Sequence, residues 1–70
     1  MVVRKIGANE WVIEGKHVRI TVKKLEIKSY YPSPKTITDY YIEKIELYGM
    51  VTVDYLISLL REFKLYIKGD

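Results

Sequence analysis

The chain has 70 residues, a net charge of +3, no cysteine and a single histidine. That length makes one domain near the lower limit for a self-sufficient core. The residue inventory excludes disulfides, thiolate metal sites and, with His17 alone, a histidine-built metal centre.

No Asp and Glu spacing fits a calcium loop, and the four glycines are isolated rather than gathered into a phosphate loop. No metal and no cofactor are therefore expected. The apolar runs are too short for a transmembrane helix, and Met1-Val2-Val3-Arg4-Lys5 lacks the features of a signal peptide. The expectation is a cytoplasmic protein with no membrane partner. Abundant Ile, Lys, Glu and Tyr, with one Asn and no Gln, match the bias of thermophile proteins. Hydrophobic residues make up 49% of the chain, more than so small a monomer readily buries. With neither staple available, a very efficient core or oligomerisation must supply stability.

In chain order, Val2, Val3 and Ile6 fit a short strand that Gly7-Ala8-Asn9 turns back, with a frayed terminus as the alternative. Glu10-Trp11-Val12-Ile13-Glu14 is a stronger strand, rich in β-formers. The following Gly15-Lys16 suits a type II′ turn, which would pair Glu14 with His17, Ile13 with Val18 and Trp11 with Ile20. Trp11, Ile13, Val18, Ile20 and Val22 then share one apolar face.

Residues 17–48 read as a long β-hairpin that organises the fold, with Pro32-Ser33-Pro34-Lys35 as its loop and Tyr31 opposite Thr36. This register places Val22 against Ile45, Ile20 against Leu47, Leu25 against Ile42 and Ile27 against Tyr40. It also sets Lys24 against Glu43 and Lys28 against Asp39, charge pairs worth some tenths of a kcal/mol each. The apolar alternation changes parity on both strands, at Lys23-Lys24 and at Glu43-Lys44. Paired bulges would keep one apolar face along the whole arm. A regular ladder would instead switch the buried face halfway, and it needs no coincidence of two defects. The regular ladder is the expectation adopted.

Thr52 has the chemistry of a helix N-cap, and Asp54 favours the positive helix end. Val53, Leu56, Ile57, Leu60, Phe63 and Ile67 follow helical spacing over about 53–67. Tyr55, Leu59 and Tyr66 widen that stripe beyond the ~100° needed to cover one core. Residues 64–68 also alternate with period two, so a final edge strand is the alternative. The fold class expected is α+β: an antiparallel meander of three or four strands with one C-terminal helix.

No catalytic constellation is evident. His17 has no Ser or Cys in triad-like order, and the carboxylates are scattered among lysines rather than paired for acid/base work. The expectation is a non-enzymatic interaction module with no small-molecule substrate, a homodimer that binds a macromolecular partner. Its interface would use Leu25, Ile27, Tyr40 and Ile42 from the arm, with Tyr55, Leu59 and Tyr66 from the helix. Addition of an edge strand to a protein partner is a related mode. The alternative is nucleic-acid binding through Lys23, Lys28, Tyr30, Tyr31 and Lys35, with Arg4, Lys5 and Lys16 as further phosphate contacts. Lysines gathered on one face would favour nucleic acid; lysines interleaved with acids would favour protein.

Overall fold

A computed structural model of the chain describes residues 2–69. Strands β1 (Val2–Gly7), β2 (Glu10–Gly15), β3 (Val18–Ser29) and β4 (Lys35–Leu47) form one antiparallel sheet in the order β1-β2-β3-β4. Helix α1 (Val53–Lys68) follows and lies over β2. The architecture is thus the expected α+β meander with a C-terminal helix. The N-terminal segment is a strand rather than a frayed end, and residues 64–68 continue the helix.

Helix α1 is closed chemically at both ends. The Thr52 hydroxyl oxygen accepts the Tyr55 N–H at 3.2 Å, and Gly69 N–H returns to Leu65 C=O at 3.1 Å. Asp54 lies in the first turn and Lys68 in the last, each favourable to the helix dipole.

Strict alternation on β2 and β3 puts Trp11, Ile13, Val18, Ile20 and Val22 on the face towards the helix, where all five are buried with Leu59 and Phe63. Call this face the front. Trp11, Tyr40 and Phe63 pack edge to face, with ring centres 5.7 to 6.0 Å apart. Lys5 lies with its ammonium 5.6 Å from the Trp11 ring centre. Val12 is buried on the back of the sheet, between Arg4 and Thr21.

The first hairpin turn differs from expectation. Gly15 pairs with Val18 and Ile13 with Ile20, so Lys16-His17 make the turn and His17 takes the left-handed conformation, φ 61°. The cause is steric. A Cβ on Gly15 would stand 2.6 Å from Tyr55 Oη and 2.9 Å from Leu59 Cδ1. Glycine there lets the helix approach the sheet. The slip spans two residues, so every side chain keeps its predicted face.

The long hairpin also has a different register. Its tip is Tyr30–Pro34, Ser29 faces Lys35, Ile27 faces Ile37, Val22 faces Ile42, and Ile20 faces Ile45. The ladder shifts between Thr21/Lys44 and Val22/Ile42, which leaves Glu43 as a bulge on β4 alone. Neither expected arrangement of the arm is found. The bulge gathers Tyr40, Ile42, Ile45 and Leu47 on the front of β4. Regular β3 turns Leu25 and Ile27 to the back. The expected charge pairs give way because apolar contact outweighs exposed ion pairs. Lys24 binds Glu26 along its own strand at 3.4 Å, and Lys23 reaches the bulged Glu43 at 3.0 Å.

Candidate interaction surfaces

Pairing between β2 and β3 ends at Glu10 and Lys23, with one further bond from Lys24 N–H to Asn9 C=O. Beyond it, residues 25–29 and 35–39 pair, among the described residues, only with each other. The result is a two-stranded arm on a molecule 47 Å long and 23 × 22 Å across. Such a ribbon is marginal in water unless something covers it.

The two faces of the arm differ. Leu25, Ile27, Ile37 and Tyr41 share the back, each 46 to 48% exposed, while the front carries Lys24, Glu26, Lys28, Thr36 and Thr38. The apolar patch is therefore real in composition but not in membership: Ile37 and Tyr41 replace Tyr40 and Ile42. The missed signal lay in the Tyr40-Tyr41-Ile42 run, which supplies an apolar side chain to both faces.

Closer to the domain, the front of β4 is left partly open because α1 lies over β2. Ile42, Ile45 and Leu47 are exposed there, and so are Val53 and Ile57 on the helix. Towards the arm, a groove of about 420 Å³ runs between β4 and the C-terminal half of α1, floored by Val22, Tyr40, Ile42, Leu60, Phe63 and Ile67, with Asp39, Tyr41, Lys64 and Lys68 also lining it. The remaining candidate interface residues separate. Leu59 is 2% exposed and belongs to the chain's own core, so it offers no surface. Tyr55 is half-buried and accepts the Lys16 N–H at 2.8 Å, and Tyr66 stacks on Phe63.

The candidate phosphate contacts do not converge. Lys28 lies on the front of the arm, whereas Lys23 and Lys35 lie on the back, and Lys23 is bound to Glu43. That carboxylate raises the Lys23 pKa above its ordinary value, chiefly through their hydrogen bond. Arg4 pairs with Glu14 and Lys5 with the Trp11 ring. Lys16 helps line a separate hollow of about 430 Å³ with His17, Met50, Thr52 and Tyr55. Tyr30 and Tyr31 stand free at the tip, Tyr31 being 87% exposed. The back of the sheet below the arm is a lattice of alternating charge that includes Lys44 and Glu46, 3.7 Å apart. There the Tyr48 hydroxyl donates to Glu46 at 2.8 Å, which lowers the Glu46 pKa and raises that of Tyr48.

Among the described residues no group of three or more His, Asp or Glu side chains is placed to hold a metal ion. No described helix is long and apolar enough to cross a membrane. No family model, curated protein or solved structure matches the chain.

Proposed function

We propose that this chain is a small non-enzymatic interaction module that works as a homodimer and binds a protein partner. One observation carries the reading. A single helix covers one side of the sheet, while the apolar back of the arm and Ile42, Ile45 and Leu47 on the front of β4 stay exposed among the described residues. A protein of this size rarely leaves two such strips to water. The interleaving of Lys23, Lys24 and Lys44 with Glu43, Glu26 and Glu46 supports a protein partner over a polyanion. The cysteine-free, Ile-, Lys- and Glu-rich composition supports a cytoplasmic setting in a thermophile.

Sedimentation velocity across micromolar concentrations tests the dimer directly. The alternative, nucleic-acid binding at the tip, is supported by the exposure of Tyr30 and Tyr31 beside Lys28 and Lys35. It requires a shift of single- or double-stranded DNA or RNA on a low-salt gel that fades steeply as salt rises. Unshifted nucleic acid removes it.

A further inference from the structure

The outer strand of the arm is complementary to itself. We propose that two copies of this chain join by antiparallel pairing of the β4 edge at Lys35-Thr36-Ile37-Thr38-Asp39, about a two-fold axis at Ile37. This rests on the homodimer reading above and names its surface.

Four features of the molecule converge on that segment. The first is sequence. Turned end for end, the segment sets Lys35 opposite Asp39 of a second copy, Thr36 opposite Thr38, and Ile37 opposite Ile37. Opposite charges and Thr–Thr neighbours are favourable cross-strand pairs, and a two-fold axis makes each of them twice. Lys35 and Asp39 both sit on the exposed back of the arm, and neither forms an ion pair among the described residues.

The second is hydrogen-bonding direction. Lys24 N–H points away from β4, to Asn9, so Lys24 and Tyr40 form a non-bonded pair of the ladder. The backbone groups of Tyr40 therefore face the open edge, and by alternation so do those of Thr36 and Thr38. These are the groups that a Thr36–Thr38 pairing would use. The Tyr40 N–H is already tied to its neighbouring Asp39 carboxylate at 2.8 Å.

The third is where the edge is left open. Natural sheets blunt their edges with proline, lysine and bulges. In β4 the Glu43 bulge, followed by Lys44, breaks the edge near the domain, and Pro34 ends it at the tip. Between Lys35, at the tip end, and that bulge the strand carries no proline, lysine or bulge, and Lys35 itself would meet Asp39 of the second copy.

The fourth is reach. Pairing five residues covers less than the roughly 800 Å² per partner typical of a stable interface. A two-fold at Ile37 also brings Pro32 of one copy level with Ile42 of the other, at the groove beside α1. The exposed Tyr30-Tyr31-Pro32 tip then comes to the exposed Ile42 at the partner's groove, again twice. One operation accounts for the open edge, the bare tip and the uncovered groove.

Reciprocal charge variants provide the test, because both positions are exposed and tolerate substitution without loss of the fold. Lys35→Asp alone sets Asp against Asp39 across the axis, and Asp39→Lys alone sets Lys against Lys35. Each variant by itself is expected to dimerise at least roughly tenfold more weakly than the parent chain in sedimentation velocity. An equimolar mixture of the two restores every pair and is expected to sediment as a heterodimer. If the parent dimerises while the variants do so undiminished, or the mixture gains nothing, this interface is wrong and the homodimer uses another surface. A parent chain that stays monomeric overturns the interface and the homodimer reading together.

Discussion

Gly15 sits where helix and sheet come closest, and its missing side chain is a packing requirement. Gly15→Ala would force Tyr55 and Leu59 outward, at a cost of about 1–3 kcal/mol of overpacking that urea denaturation would resolve. Tyr48 and Glu46 illustrate a surface contact with a defined pH signature. The Glu46 pKa is lowered mainly because the Tyr48 hydroxyl donates to its carboxylate. A carboxylate lowered in the fold contributes stability above its unfolded pKa and loses it as pH falls through the folded value. Tyr48, whose pKa is raised, contributes below its unfolded pKa and loses that contribution as pH rises through the folded value. Tyr48→Phe should therefore raise the Glu46 pKa towards the ordinary carboxylate range, as followed by NMR titration of its side chain. An unchanged Glu46 titration would show that the hydrogen bond is not formed in solution.

At the scale of elements, burial and exposure predict opposite consequences for two isoleucines on the same strand. Ile20 is fully buried in the middle of the sheet, and Ile20→Ala should cost about 2–5 kcal/mol, a large share of the stability of so small a domain. Ile27 is 48% exposed on the arm, so Ile27→Ala should lower monomer stability far less and act instead on partner binding. Thr52→Ala should cost about 1 kcal/mol through loss of the helix cap. Thermal unfolding by circular dichroism ranks all three. The elements themselves were legible because their signals are local: β-formers between turn residues, a 3.6-residue period, a Thr cap. The shared face of Trp11, Ile13, Val18, Ile20 and Val22 was legible too, since alternation survives a two-residue slip. The arm's register was not. It rests in sequence on the placement of the Pro32–Lys35 loop, and the charge pairs that agreed with it are worth only tenths of a kcal/mol: Lys24 turns to Glu26 instead, and Lys28 and Asp39 form no ion pair among the described residues. A bulge at Glu43 leaves no mark of its own in sequence, and the expectation of two symmetrical breaks hid a single one-sided break.

At the scale of the molecule, the bulge separates two jobs along β4. Near the domain it keeps Ile42, Ile45 and Leu47 on the same side as the helix, where Ile42 borders the groove. Beyond it, the arm presents a polar front, an apolar back and an open, self-complementary edge. Joining two arms along that edge yields a four-stranded ribbon with Leu25, Ile27 and Ile37 of both copies side by side on its back. That doubled apolar face is the surface proposed for the protein partner. The β1 edge does not offer the same continuation, since it is short, irregular between Lys5 and Gly7, and carries Arg4 and Lys5. Pairing at β4 thus closes at two chains instead of running on into a fibre.

Sedimentation velocity of the parent chain at micromolar concentration tests the central claim most directly. A concentration-dependent boundary at twice the chain mass of 8.3 kDa is the predicted result. A boundary that stays at 8.3 kDa throughout that range would contradict it.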